Sequence, residues 1–440
     1  MPEADTSPAA DPLSVMGTRG FRVLLVLATV VGVVVSAIAW GFLQLVFHLQ
    51  GWVYDDLPGA FGFDSTPVWW ALPVLAVTGV IVAFAIDRLP GQGGHIPADG
   101  LNPSPTEPVE LPGVVVAGLA SISLGIVLGP EAPLIAIGGG LGFLAIRRLR
   151  PDAPPEVQQV VAASATFAAV AFLFGSPILA ALILIEAAGI GGARLPVILV
   201  PGLLASGVGS LVWIGLGSWT GLSKSAISIP VLHLPAFERP DIADFGWTIL
   251  LALAIAVATF VIFRIAHRTR RVAAPRPFVA LPVIGLVIGG LAIAFSQAAD
   301  KSITDLLFSG ETAIEPLVDN PGAWSLGALA LLVAFKGLAY ALSLGSFRGG
   351  PVFPALFLGA AGGMMAAQLP GFHFTPAVAV GLGAATTAVL RLPLSGATLG
   401  IVLTLPAGPG ASPLIIVGAV VAYLAMLALS ARFAEEPAPA

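Results

Sequence analysis

The 440-residue chain contains no cysteine, which excludes disulfides, thiolate nucleophiles and cysteine-based metal sites. Charge is scarce as well: Asp, Glu, Lys and Arg make up 10% of the residues, against about 25% in soluble domains. Histidine occurs five times, with no His/Glu spacing that holds a metal and no Ser/His/Asp arrangement for hydrolysis. Neither an enzyme nor a bound cofactor or metal is therefore expected. The formal net charge of −5 resides mostly in loops and termini, and gives no reason to expect a nucleic acid partner.

Apolar residues fill the space that charge leaves. Hydrophobic residues make up 57% of the chain, and mean hydropathy is +0.98. Runs long enough to cross a bilayer as helices recur at 21–49, 68–85, 111–128, 195–216, 247–265, 278–295, 326–344 and 413–429. Other apolar stretches are cut by Pro or Gly into half-length pieces. Lipid offers no partner for freed backbone groups, so such breaks belong inside protein or against a water-filled cavity. The expectation is an all-α polytopic membrane protein over 19–433, with a disordered tail at 1–18 and a short one at 434–440. The first run follows Arg19 and Arg22 and carries small residues at Ala37 and Ala39, as a cleavable signal would, but its length favours a span.

Basic residues set an expected orientation. Arg19, Arg22, Arg88, the cluster at Arg147–Arg150 and the run from Arg264 to Arg271 share the cytoplasmic side under the positive-inside rule. Asp55, Asp56 and Asp64, and the acids from Asp300 to Asp319, fall outside. Both termini are then cytoplasmic and the protein is a multi-pass component of the cell membrane.

The chain also matches itself. GPEAPLIAIGGGLG from Gly129 aligns with GPVFPALFLGAAGG from Gly350, and SPILAALIL from Ser176 aligns with LPLSGATLG from Leu392, at offsets of 221 and 216. Two matches in the same order point to duplicated halves, about 20–217 and 245–430. Paired interrupted segments in corresponding places mark a transport site at a repeat interface.

Pro130, Pro133, Pro351 and Pro354 suit first helical turns, where a missing N–H costs nothing. Each matched segment is thus expected to start a helix inside the protein, and a helix N-terminus attracts anions through its free N–H groups. Glu131 is the one ionisable residue between Leu128 and Gly142. A carboxylate at such a terminus mimics an anion: ionised, it occupies the site; protonated, it leaves. The competing reading is an acid that only satisfies orphan N–H groups. A third break, LPGQGGHIPADG at Leu89–Gly100, predicts a tight turn into a short helix with backbone N–H groups able to bind an anion, and His95 within it titrates near neutrality. Lys336 and Arg348 read as cations that snorkel to an interface, with Arg348 able to concentrate anions near the second matched segment.

Together these fragments resemble the CLC family of chloride channels and chloride/proton antiporters, over essentially the whole chain. GGHIP (Gly93 to Pro97) is similar to the family's GSGIP, GPEAP (Gly129 to Pro133) to G(K/R)EGP, and GPVFP (Gly350 to Pro354) to GxFxP. The resemblance implies two inverted-topology repeats with broken and re-entrant helices, a homodimer with one anion pathway per subunit, a gating role for Glu131, and anion binding by Gly93, Gly94, His95, Ile96, Glu131, Ala132, Val352 and Phe353. The departures are specific. Gly94 replaces the family serine, Pro130 the basic residue before the gating acid, and Val352 the phenylalanine, with Phe353 displaced by one. Ala187 stands at the inward proton-carrying glutamate, beside Glu186, a possible proton relay or a structural acid. The family's last-helix tyrosine has no match, since Tyr423 lies inside the preceding span.

The expected function is movement of chloride or a similar small anion past Glu131, as a channel or in exchange for protons. The alternative is a secondary transporter of another solute on an inverted-repeat fold, with Glu131 as its proton or cation site.

Overall fold

The computed structural model describes residues 16–102, 104–192, 194–220 and 231–433. Residues 1–15 of the expected tail at 1–18, and the expected tail at 434–440, lie outside the described residues. Fourteen helices of more than ten residues occur among the described residues: α1 (Arg19–Gly51), α2 (Ala71–Arg88), α3 (Leu111–Ser123), α4 (Glu131–Leu149), α5 (Pro155–Phe174), α6 (Pro177–Ala188), α7 (Arg194–Thr220), α8 (Ile242–Ala273), α9 (Pro277–Ala299), α10 (Leu326–Ser346), α11 (Val352–Ala366), α12 (Phe374–Leu390), α13 (Pro393–Leu403) and α14 (Ser412–Arg432). Nine helical segments are long and apolar enough to cross a membrane, and five others are apolar but shorter. No strand is present among the described residues; one isolated antiparallel bridge joins Gly129 to Gly350.

Two expected spans change in outline. The run at 111–128 is helical only to Ser123, because Gly125 takes a φ of +105° and turns the chain out of the helix. The segment after Pro155 forms a 20-residue helix that the Pro/Gly reading had left among the half-length pieces. Its only breakers sit at its edges, Pro155 in the first turn and Gly175 as the left-handed cap, where both are compatible with a helix.

The chain divides into two compact units that interleave in sequence, neither of which is one of the proposed halves. The first comprises the described residues within 16–40, 104–108 and 134–220. Small residues let its helices approach closely. A Cβ at Gly32 would lie 2.6 Å from the Ala205 carbonyl oxygen, and one at Gly202 would lie 2.7 Å from the Phe167 ring. Ala28, Ala168 and Ala205 form a fully buried cluster between α1, α5 and α7. Gly202 and Ala205 of α7 are thus spent on helix contacts within this unit. α6 opens with Ser176, whose hydroxyl accepts the Leu179 amide, and closes on left-handed Gly189.

The second unit comprises the described residues within 41–102, 109–133 and 231–433. α2 and α9 cross at Gly79 and Gly285, each facing backbone of the other helix with no room for a side chain. α8, α12 and α14 close over Ala252, Ala256, Ala384, Ala388, Ala422 and Met426. These contacts frame α10 and α11, whose junction carries the second matched segment.

Candidate functional site

Two helix breaks meet in the second unit. After α3 the chain runs without helical structure through Ile126, Val127 and Leu128, all fully buried, before α4 starts at Glu131. After α10 it runs through Phe347 to Pro351 before α11 starts at Val352. Gly129 donates to the Gly350 carbonyl at 2.8 Å and Gly350 donates back to the Gly129 carbonyl at 2.5 Å. Equivalent positions of the two matched motifs therefore pair with each other. The bridge is antiparallel, as expected of two segments related by a two-fold axis.

The bridge aims the start of α4 at the start of α11. Phe353 donates its backbone N–H to Glu131 Oε1 at 2.8 Å, and the Val352 amide and Glu131's own amide also point at the carboxylate. Glu131, Val352 and Phe353 are each 1% exposed. Three orphan donors from two helix N-termini thus converge on one acid, in surroundings where a charge-assisted bond contributes about 1.5–3 kcal/mol. Glu131 Oε2 is buried and lacks a hydrogen-bond partner among the described residues. It lies against the α-carbons of Gly129 and Gly350, where a side chain on either glycine would overlap it. Ala132, the next residue on α4, is half-buried.

Neighbouring side chains hold the breaks open. Tyr340 on α10, fully buried, donates its hydroxyl to the Pro351 carbonyl at 2.7 Å. Tyr54 donates to the Leu124 carbonyl at 3.0 Å and Gln50 Nε2 to the Ile122 carbonyl at 3.0 Å. The Arg348 amide donates to Ser121 Oγ at 3.4 Å.

The third break differs from expectation. Pro97–Asp99 is a single 3₁₀ turn, ended by Gly100 at φ +89°, so no helix of useful length begins there. Gly93 (φ +72°) and Gly94 (φ +96°) adopt backbone that glycine tolerates best, and Ile96 is extended. The loop packs on α3, where Gly94 faces Val114, and it is bonded to Arg348, whose Nε donates to the Gln92 carbonyl at 3.3 Å. His95 is half-buried with Nε2 enclosed and partnerless, and desolvation holds its pKa below the usual imidazole value.

Lys336 and Arg348 do not snorkel. Lys336 is 0% exposed. Its Nζ donates to the carbonyls of Asp305, Leu306 and Leu307 at 3.0–3.1 Å and sits 4.3 Å from the Phe357 ring centroid. Those carbonyls end the short helix Ile303–Leu306, so the lysine caps it. Arg348 is 7% exposed and donates to backbone carbonyls of Gln92, Ser346 and Phe347. Both cations are consumed by carbonyls that the broken helices leave unpaired.

Glu186 lies in the last turn of α6, half-buried, with Ala187 following it; the Glu186 carbonyl accepts the amide of the capping Gly189 at 3.3 Å. Folding also assembles two acid/histidine groups that sequence spacing did not suggest. In one, Asp241 and Asp244 form a capping box at the start of α8, and Asp244 accepts from the backbone N–H of His373. In the other, His233, Glu315 and Asp319 come together from distant segments. The first is explained as helix capping.

The family profile described as "Voltage gated chloride channel" matches residues 98–427. "Putative ion-transport protein YfeO" of Escherichia coli strain SE11 and of Shigella boydii serotype 4 is 30% identical over 353 residues, covering 79% of this chain and 79% of that protein. Among solved structures, a slow cyanobacterial Cl−/H+ antiporter superposes with a TM-score of 0.75 at 21% identity, over 92% of this chain and 94% of that one. A CLC-type fluoride/proton antiporter gives 0.67 at 18% identity, over 92% and 96%. The fold and its broken helices are those of a multi-pass membrane transport protein. The chain belongs to the voltage gated chloride channel, or CLC, family.

Proposed function

We propose that the protein moves chloride or a similar small inorganic anion across the cell membrane, and that Glu131 gates the pathway by occupying the anion's seat. The observation that carries this is the 2.8 Å bond from the Phe353 amide to Glu131 Oε1. The carboxylate lies where the N-termini of α4 and α11 present unpaired donors, the arrangement that favours a bound anion. An ionised Glu131 competes with the anion for these donors. A protonated one loses its charge and most of the attraction, and the site opens.

The donors around the carboxylate are backbone N–H groups, supplied by Val352, Phe353 and Glu131 itself. Backbone donors with no side-chain hydroxyl set a weak preference among chloride, bromide, nitrate and fluoride. Gly93, Gly94, His95 and Ile96 line the pathway in this reading, with Gly94 in place of the family serine and its own N–H bonded to the Gly91 carbonyl. The orientation read from the basic residues puts both termini in the cytoplasm. A homodimer, each subunit with its own pathway, follows from family membership. Glu186 remains a candidate for the inward proton route, and transport rather than catalysis is the activity.

Anion efflux from liposomes carrying the purified protein, with external pH recorded, tests the proposal in wild type and Glu131→Gln. Anion efflux whose pH dependence disappears in the variant is expected. No anion flux in either protein would overturn the reading and favour a transporter of another solute with Glu131 as its proton or cation site.

A further inference from the structure

Glu311 is a half-buried acid with one enclosed carboxylate oxygen, and the gating account leaves it unused. It lies between the short helices Ile303–Leu306 and Ile314–Asp319. Its amide donates to Ser309 Oγ at 3.3 Å, while its Oε2 is enclosed and accepts no hydrogen bond among the described residues. A buried carboxylate oxygen without a donor is costly when ionised, so a proton or a moving partner is the economical explanation.

The segment carrying Glu311 is pinned to both breaks. Phe308 donates its amide to the Gly125 carbonyl at 3.3 Å, and its ring meets the Tyr54 ring edge-on at 5.1 Å. Gly310, at φ +87°, lies against the Phe357 ring of α11 with no room for a Cβ. One end of this segment therefore touches the break that leads into Glu131. The other touches the helix whose N-terminus receives the Glu131 carboxylate. Burial, and then the charge of Glu131, push the Glu311 pKa up to about 8.

Other titratable and charged groups on the packed elements are already engaged. Lys336 of α10 is spent on the carbonyls of 305–307 and on the Phe357 ring. Tyr340 of α10 donates to Pro351 and Tyr54 to Leu124. Asp305 lies in the short helix that Lys336 caps, and its carboxylate accepts the Ser302 amide. Glu131, whose charge acts on Glu311, keeps an oxygen without a hydrogen-bond partner among the described residues.

We propose that Glu311 is the second proton-binding residue of the anion pathway, taking the proton from Glu131 and returning it, so that the two enclosed carboxylates share one proton. In the step the O–H bond of Glu131 breaks and one forms on a Glu311 oxygen, directly or through water, while the charge moves the opposite way. No other reactant is needed. Like charges that act on each other in a low dielectric oppose double ionisation, so the pair titrates as a unit. The inference rests on the gating reading of Glu131, and supplies a proton-holding group on a chain that has Ala187 where the family's inward acid would stand.

The test uses full-length protein as wild type, Glu311→Gln, Glu131→Gln and the double variant. In liposomes, Glu311→Gln is expected to move the pH profile of anion efflux to the acid side by about one unit. Proton movement accompanying the anion, where wild type has it, falls about tenfold, and the substitution has no further effect on the Glu131→Gln background. Infrared spectra supply a readout independent of transport: at neutral pH a protonated-carboxyl carbonyl band present in Glu131→Gln is expected to vanish in the double variant. A Glu311→Gln profile that coincides with wild type, or a shift that persists without Glu131, overturns the proposal. So does an infrared band that survives the double substitution. Absence of anion flux in wild type would instead sink the gating reading, and the infrared band would still decide the role of Glu311.

Discussion

Gly129 and Gly350, 221 positions apart, exchange both of their backbone hydrogen bonds, and the acid two residues after the first is held by the amide three residues after the second. A glycine stands at each of the two matched positions, and folding brings them together. The space that the missing side chains leave is the space the Glu131 carboxylate fills.

Gly350→Ala is therefore expected to evict the carboxylate before it unfolds the protein, because the new methyl overlaps Glu131 Oε2. Anion efflux from Gly350→Ala liposomes should lose its pH dependence as Glu131→Gln does. A Gly350→Ala protein with wild-type pH dependence would show that the overlap is relieved elsewhere.

Lys336→Met is expected to destabilise the fold by about 2–4 kcal/mol, since it leaves up to three buried carbonyls at 305–307 without a donor. Lys336→Arg should recover little of this, because a planar fork cannot reproduce three donors from one nitrogen above the Phe357 ring. Thermal midpoints in detergent, compared across the three proteins, measure both effects.

At the crossing of α2 and α9, Gly285→Ala places a methyl against the Leu75 carbonyl. Overpacking of this kind costs about 1–3 kcal/mol. Gly290→Ala on the same helix meets nothing within 4 Å, and is expected to leave the thermal midpoint unchanged or slightly raised.

Glu311 gives the fold a pH dependence of definite sign. Its pKa is raised from 4.5 to about 8. Between those values the unfolded chain has released this proton while the folded chain keeps it, so stability falls as pH rises through the window and the loss is complete above the folded value. Unfolding midpoints followed from about pH 5 to about pH 9 should decline in wild type and flatten in Glu311→Gln. A decline of equal size in both proteins would place its origin elsewhere.

How much of this could be read before folding depends on whether the signal was local. Pro130, Pro133, Pro351 and Pro354 constrain their own backbone, so the two inner helix starts were visible in the sequence, with Glu131 at the first of them. The early end of α3 at Ser123 was not, because Ile126–Leu128 are as apolar as any helix and only Gly125 marks the turn. At the third break the glycines were read correctly as a turn, but the helix after Pro97 stops within three residues at Gly100. Glu311 sits in an acidic loop read as lying outside; the segment that carries it is held through Phe308 and Gly310 against Gly125, Tyr54 and Phe357, partners from distant segments. Its one local sign is the apolar frame of Leu306, Leu307, Phe308 and Ile314. Lys336 and Arg348 were misplaced for the same reason: their carbonyl partners are created by tertiary structure and have no sequence pattern.

The measurement that tests the central claim most directly is the position of bromide, located by anomalous scattering in crystals of wild type and of Glu131→Gln. The account predicts bromide against the Val352 and Phe353 amides in the variant, and the Glu131 carboxylate in that place in the ionised wild type. Bromide absent from those amides in the variant, or present beside them with the wild-type carboxylate still bonded to Phe353, would contradict it.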